Sequence, residues 1–482
     1  MCEILKTSNV FYSIKVSVLF FALVLFGNNY IFAQQVRDGR IEIEVSSFSD
    51  AYFLLPVGNK GLLLFGQSDR IDKGKMLFDF SKYDTRFRKE WQISVPIERR
   101  QEYQLQYFDE KTERLYVLLG KRRGFVLHDS FTIIEMDINT AVVKTLNGNF
   151  GSYALVKDFF AFASVAYMGG HYYPSRSELF FRQSLTLLGL YIPALFGSLK
   201  YKLDPLLITA DFSADEISKY NYNSDGNTKV IGISYDKTSE LINVLISDKP
   251  DKHTSRFEVL QFDSLKNMTN SFELVLDGYE LTSGRIVNVY ENELIAIGTY
   301  TRRSKNYKES TYNFDRSLAS PSMGLYYAKI VNGKQEFIRF YSFHTFKNFY
   351  NFLSRKALAR VDRRMSRMSN RNMDFGLEYN LLVHDLIFMN NEYVMIAEAY
   401  YPEYEQRCYY QYNPYRGYSE RTCYDVFIGF RFTHAIIAAF DNEGQLKWDN
   451  SFEMWDVITT NLKPQVRYFF EDDEVLLLYA YG

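Results

Sequence analysis

Phe440-Asp441-Asn442-Glu443-Gly444-Gln445-Leu446-Lys447-Trp448 decides the fold, because its outline recurs along the chain. An apolar strand runs into an aspartate, a short polar turn follows, and the next strand carries a tryptophan. Asp and Gly suit such turns for separate reasons. The Asp side chain bonds the backbone ahead of it, and Gly takes positive φ without a steric cost. Tyr83-Asp84 leads to Trp91 with the same spacing. Met136-Asp137, Phe262-Asp263 and Val331-Asn332 follow the outline, and Ala210-Asp211 is a weaker copy.

A second pattern alternates with the first: Glu, Asp or Gly opens an apolar strand directly after a turn. Its copies start at Gly61, Glu113, Asp158, Glu240, Glu293, Glu392 and Glu474. The order is 61 then 84, 113 then 137, 158 then 211, 240 then 263, 293 then 332, 392 then 441, and 474 alone. Each pair is two hairpins, a four-stranded unit of about 50 residues, and such periods mark propeller blades. The expected fold is all-β, a seven-bladed β-propeller of four-stranded antiparallel blades. The seventh unit lacks its second half where the sequence stops at Gly482. Arg40–Ser46 (Arg-Ile-Glu-Ile-Glu-Val-Ser) is a spare alternating strand. It is expected to close the last blade and cover its edge, with Ile41, Ile43 and Val45 beside Leu476 and Leu478.

The Asp-to-Trp turns resemble those of quinoprotein-like (PQQ-like) propeller repeats, with Phe440–Trp448 the fullest match. The other copies are degenerate, so the resemblance implies a fold and no activity.

At the N-terminus, Lys6 and Lys15 flank a polar start, and Val16–Phe26 is apolar throughout. That run of about 11 residues is short of the roughly 20 that a membrane span needs. Ile31-Phe32-Ala33 precedes Gln34-Gln35 like a signal-peptidase site. Residues 1–33 are therefore expected to be a signal peptide ahead of a single propeller domain, 34–482, with an uncleaved anchor as the alternative. This start resembles that of exported Bacteroidota-type proteins, which implies a periplasmic or outer-membrane-associated location. Beyond it two cysteines remain, Cys408 and Cys423. In an oxidising compartment they are expected to pair, stabilising the fold by about 3 kcal/mol, and two free thiols are the other reading.

Aromatic residues form 17% of the chain, with 39 Tyr and 41 Phe, which suits half-buried pleated surfaces. A net charge of −2 gives no support for nucleic acid as a partner.

In an antiparallel meander, alternate connections leave the sheet on the same side. The two turn patterns occupy one side, and the long insertions, 166–204, 301–321, 345–378 and 401–431, all fall on the other. Rigid scaffolds tend to gather functional loops in this way.

Three insertions carry distinctive chemistry. Tyr401, Tyr404, Tyr409, Tyr410, Tyr412, Tyr415, Tyr418 and Tyr424 surround the cysteine pair. They suit recognition of a partner or glycan, or packing of the hairpin on itself. Leu185–Phe196, including Leu187, Leu190 and Ile192, is apolar all round. Exposed, it is a docking patch for a membrane or outer-membrane protein; buried, it is a short helix between blades. From Phe346 to Met373 helical periodicity takes over, with Phe346, Phe349, Leu353, Ala357, Val361 and Met368 on one face. Lys356, Arg360, Arg363, Arg367 and Arg371 flank it, either to meet anionic headgroups or an acidic partner, or as a solvated face.

The six histidines are scattered, and no nucleophile elbow, phosphate loop or metal-ligand spacing occurs. His384 and His434 are expected to be satisfied core residues. No catalytic residue, metal or cofactor is assigned. Asp263-Ser264-Leu265 resembles a Bacteroidota O-glycosylation tripeptide, and Glu471–Glu474 is expected to be a solvated turn. The expected function is non-enzymatic binding of an envelope protein or glycan through the insertion side. The alternative is a glycan-acting enzyme with its site at the channel mouth.

Overall fold

The computed structural model describes residues 52–479 apart from 124–125, 174–203, 221, 223–226, 237–238, 250–254, 264–266, 291, 303–320, 351, 370–378, 414–417, 461 and 472–473. Two compact units divide the chain, Met1–Arg99 and Arg100–Gly482.

In the first unit, β1 (Phe53–Pro56), β2 (Leu62–Asp72), β3 (Lys75–Tyr83) and β4 (Lys89–Ile97) form one antiparallel meander. Phe65, Phe78 and Phe80 are fully buried in it, with Phe65 stacked on Phe80 at 5.8 Å.

The second unit repeats that design. One sheet holds β5 (Gln101–Asp109), β6 (Arg114–Arg123), β7 (Val126–Asp137) and β8 (Val143–Asn149). The next holds β9 (Tyr153–Phe162), β10 (Val165–Tyr173), β11 (Asp204–Asp211) and β12 (Glu216–Lys219), and meets the first through a Leu127–Ala154 bridge. Then come β13 (Asn227–Asp236), β14 (Leu241–Lys249), β15 (Arg256–Phe262) and β16 (Met268–Leu274). After them lie β17 (Tyr279–Tyr290), β18 (Glu293–Arg302), β19 (Gly324–Val331) and β20 (Lys334–Ser342). In the following sheet the first strand is broken into β21 (Asn380–Val383) and β22 (Ile387–Met389). Both pair with β23 (Glu392–Asn413), which is followed by β24 (Tyr418–Phe440) and β25 (Leu446–Thr459). A hairpin of β26 (Arg467–Glu471) and β27 (Glu474–Leu478) ends the unit.

Successive sheets of this unit stack face to face. Phe131 and Ile133 meet Met168 and Ile208; Tyr167 and Leu207 meet Ile233 and Val244. Leu245 and Val259 meet Ala296 and Tyr326, and Ile297 and Tyr327 meet Met395 and Phe440. Covering both faces explains why second strands read as continuous apolar runs and not as alternations. Leu115, Val117, Leu118 and Leu119 on β6 are all fully buried. Fourth strands, such as β8 and β16, are mostly exposed and polar, which blunts the sheet edge.

The aspartate turns work through their side chains. Asp84 Oδ1 accepts the Arg86 and Arg88 N–H groups at 2.8 Å, and Asp441 Oδ1 accepts those of Glu443 and Gln445 at 3.1 and 2.8 Å. Asp137, Asp211 and Asp263 hold backbone N–H groups in the same manner. In the exposed Asp84 turn these bonds, the Arg88 N–H first, hold the carboxyl below its ordinary pKa.

Both turn families lie at one end of their sheet. Phe212 N–H donates to Ser164 O at 2.9 Å, Asn139 Nδ2 to Glu113 Oε2 at 2.6 Å, and Trp448 Nε1 to Glu392 Oε2 at 2.9 Å. Gly61 sits so close to Tyr83 that any Cβ would strike its carbonyl oxygen.

Three expectations need correction. Asp158 does not open a strand: it lies inside β9, and the turn is Ala163-Ser164, both at positive φ, with Val165 opening β10. The insertion expected from 166 starts later, because Ala166–Tyr172 is paired on both sides, with β9 and β11. Helix α1 spans Arg355–Ser369 and does not begin at Phe346. Phe346 and Phe349 precede it, buried beside Phe343 against the β17–β20 and β21–β25 sheets, with Phe343 and Phe349 stacked at 4.5 Å. Their spacing mimics a helix face because a compact turn presents both rings to one core. Arg40–Ser46, residues 1–33 and Ser264 lie outside the described residues, as do 303–320 within the 301–321 insertion.

Candidate functional site

Strands β23 and β24 outgrow their sheet. They pair from Tyr393–Phe440 out to Asn413–Tyr418, whereas β21 stops opposite Tyr400 and β25 stops opposite Phe430. From Glu403 to Gly429 a two-stranded ribbon therefore continues beyond the sheet. Its root is stiff: Arg431 Nε and Nη2 grip both oxygens of Glu403 at 2.7 and 3.1 Å, and Phe427 packs on Phe430 at 5.1 Å. Cys408 and Cys423 face each other across the ribbon and are disulfide-bonded.

The tyrosines do not form one surface. Alternation puts Tyr409, Tyr418 and Tyr424 on one face with Arg407, and Tyr404 and Tyr410 on the other with the disulfide. Tyr409 and Tyr424 make an edge-to-face pair at 6.0 Å, and Tyr410 is 74% exposed. Tyr412 pairs in register with Ser419, and Tyr415 lies outside the described residues.

In α1, Arg360 and Arg363 are exposed while Ala357, Leu358 and Val361 are half-buried, so the helix is amphipathic as expected. Ser354 starts it, its carbonyl accepting the Leu358 N–H at 2.9 Å. Arg367 lies in the C-terminal half of the helix. Leu187, Leu190, Ile192 and Arg371 lie outside the described residues.

A polar cluster that sequence reading missed joins the first strands of four consecutive sheets. Arg285 on β17 pairs with Asp158 of β9 at 2.7 Å and with Asp385, between β21 and β22, at 3.2 Å. Its Nη1 also donates to Ile233 O of β13 at 3.1 Å and its Nη2 to Val383 O of β21 at 3.4 Å. Asp158 Oδ2 accepts the Ile233 N–H at 3.2 Å. Beside it β13 and β17 run so close at Gly232 that a Cβ would strike Gly284 O. These residues come from separate strands and leave no linear motif.

The first strands β5, β9, β13 and β17 share a bulge. Gln104, Lys157, Ile231 and Thr282 are each the extra residue opposite a continuous second strand. Bulges re-aim side chains and are over-represented beside functional sites.

His384 and His434 are buried, as expected. His384 Nε2 lies 2.6 Å from the fully buried Glu398, which also accepts the Gln465 and Val466 N–H groups and so ties the β26–β27 hairpin to its neighbour. His434 differs from expectation: Nδ1 meets Thr433 Oγ1 at 2.9 Å, but Nε2 is buried without a partner among the described residues. Phe352 stacks on its ring at 3.8 Å and Tyr379 meets it edge-on at 4.9 Å.

No family model matches this sequence, and no curated protein matches it. Among solved structures, similar folds include the β-propeller domain of the Trilobed protease from Pyrococcus furiosus, with 7% identity over 90% of this chain and 98% of that one, TM-score 0.34. YjhT aligns at 12% identity over 82% of this chain and 95% of its own, TM-score 0.35. A Synechocystis apocarotenoid oxygenase aligns at 9% identity over 58% of each chain, TM-score 0.31. An oxygenase chimera of the same type is matched over only 55% of its own length. Structural neighbours thus include β-propeller domains, at scores too low to carry an argument about this chain.

Two outcomes follow from this geometry. Arg285→Met strands Asp158 without its cation and is expected to lower unfolding free energy by about 3–5 kcal/mol, with Asp158→Asn restoring part of it; equal urea midpoints for wild type and Arg285→Met would refute the clamp. Burial pushes the His434 pKa down from 6.5 to about 3. Between those values the unfolded chain is protonated there and the folded chain is not, so stability falls with falling pH by about 1.4 kcal/mol per unit. His434→Leu is expected to remove that slope from urea midpoints taken from about pH 6 to about pH 4; an unchanged slope rejects it.

Proposed function

We propose that the chain is an exported seven-bladed β-propeller that binds a protein of the cell envelope through the β23–β24 ribbon. Envelope glycan is the second ligand class. The observation that carries this is the ribbon itself: strands of the core sheet run on past their neighbours, crosslinked and faced with exposed tyrosines. A pinned ribbon loses little freedom on binding, and tyrosine adds large contact area at low entropic cost. Exposed Arg360 and Arg363 on α1 offer a further contact to an acidic partner or to anionic headgroups. Periplasm or outer membrane is the compartment in which the disulfide persists.

The ring reading is supported by face-to-face stacking of successive four-stranded sheets in the second unit. The terminal hairpin leaves a groove of 510 Å³ lined by Met389, Ile437, Trp448, Phe452, Val475 and Leu477. Leu476 and Leu478 are 41% and 58% exposed along β27. Leu476 and Leu478 lie on the face of β27 opposite the groove, and we place the Arg40–Ser46 strand along β27 so that Ile41, Ile43 and Val45 cover them.

A glycan-acting enzyme would present two free carboxylates about 5 to 10 Å apart. Asp158 has both oxygens engaged, by Arg285 and by the Ile233 N–H, and Asp385 shares the same guanidinium. That arrangement favours a clamp over acid–base chemistry.

Replacing 401–431 by a tight turn is expected to abolish capture of envelope proteins that the intact chain retains. On the Tyr409 face, Tyr409→Ala with Tyr424→Ala is expected to weaken the captured partner at least about tenfold, or 1.4 kcal/mol, while Tyr410→Ala changes little. An unchanged partner set on ribbon removal sinks the proposal. For the ring, Ile43→Cys with Leu476→Cys is expected to form an intramolecular disulfide, mapped by peptide mass spectrometry; free thiols after oxidation reject closure by that strand.

A further inference from the structure

The bulge on β9 aims a lysine that nothing in the clamp uses. Lys157 is the extra residue between Val156 and Asp158, and among the described residues it forms no hydrogen bond or ion pair. Its side chain is half-buried. His171 on β10 faces Leu155 across the strand pair and is 4% exposed, with Nδ1 buried and unpartnered among the described residues. Alternation sets Lys157 and His171 on the same face of their sheet, the face that carries Tyr167 and Gly169 against Ile233 of β13. Lys229 enters the seam from β13, and Arg285 borders it from β17.

We infer that this seam between the β9–β12 and β13–β16 sheets binds an oxyanion, a carboxylate or phosphate group of a ligand, with Lys157 as its principal cation and His171 as a neutral partner. Both unanswered polar groups ask for the same thing. A half-buried ammonium without a counter-charge is costly, and a bound anion removes that cost. The acid nearest Lys157, Asp158, is committed to Arg285 and to the Ile233 N–H. Burial first, and then Lys229 and Arg285, pull the Lys157 pKa down to about 8, partly offset by Asp158. Burial, with Lys157 and Lys229, also holds His171 well below its ordinary value. The imidazole is therefore neutral, and it donates to the anion in the tautomer that carries its one proton on the unpartnered Nδ1.

This site is independent of the ribbon, and loss of one leaves the other intact. The test uses the full chain with its lysines carrying reductively added ¹³C-methyl groups, titrated with inorganic phosphate and separately with acetate. The Lys157 resonance, assigned through Lys157→Arg, is expected to shift saturably with one of the two. The tighter anion identifies a phosphate-bearing or a carboxylate-bearing ligand. Its titration is expected to move upward from about 8 when the anion is bound, because a neighbouring negative charge favours the ammonium. Calorimetry of unlabelled protein is expected to give one site, weakened at least about tenfold by Lys157→Met and retained in Lys157→Arg. Matching thermal melts of both variants and wild type exclude a folding defect. A linear, unsaturable response to both anions, or equal binding by Lys157→Met and wild type, overturns the assignment.

Discussion

One guanidinium ties together the first strands of four sheets of the larger unit. From its own sheet Arg285 reaches Asp158, Ile233, Val383 and Asp385, and so joins the first strands, or the loop after them, of three neighbouring sheets. A cation at that depth is tolerable because carboxylates pair its charge and carbonyls accept from both terminal nitrogens. Face-to-face apolar packing supplies most of the cohesion between sheets, but it is non-directional and would tolerate sliding. The clamp adds direction. The glycines beside it, Gly232 and Gly284, let β13 and β17 approach closely enough for its geometry to close.

The meander was legible wherever a turn announced itself through side-chain chemistry. Asp84, Asp137, Asp211, Asp263 and Asp441 bond the backbone ahead of them, a local act that leaves a local mark. The third copy of the other turn was misplaced because Ala163 and Ser164 take positive φ without a glycine or acid to betray it. Asp158, which looked like the missing turn, is acidic because Arg285 needs it. Likewise Phe346 and Phe349 kept helical spacing although they cap a compact turn. The clamp itself leaves no local mark, since its partners lie between 52 and 127 positions apart. In the ribbon, the cysteines and tyrosines could be read from the sequence, but their division between two faces depends on the register and its bulge at Glu403–Tyr404.

The insertions differ in how firmly they are anchored. The connection after β20 is fastened before it becomes helical: Asp449 accepts the Lys347 and Asn348 N–H groups at 3.1 and 2.7 Å, and Ser451 Oγ donates to Phe349 O at 2.8 Å. Phe352 then covers His434. Helix α1 thus starts from a fixed point on the β21–β25 sheet, which restricts where its basic flank can reach.

The ribbon has no joint at its base. Apart from bulges at Glu403–Tyr404 and Ala399–Tyr400, the hydrogen-bond ladder of β23 and β24 continues without a linker from Asn413 and Tyr418 into strands flanked by β21 and β25. A pull on the tip would load those inner ladders in shear, along the strand axes, where many bonds must yield together. Such an attachment resists tension far better than a tethered loop, and suits a grip that must survive mechanical stress.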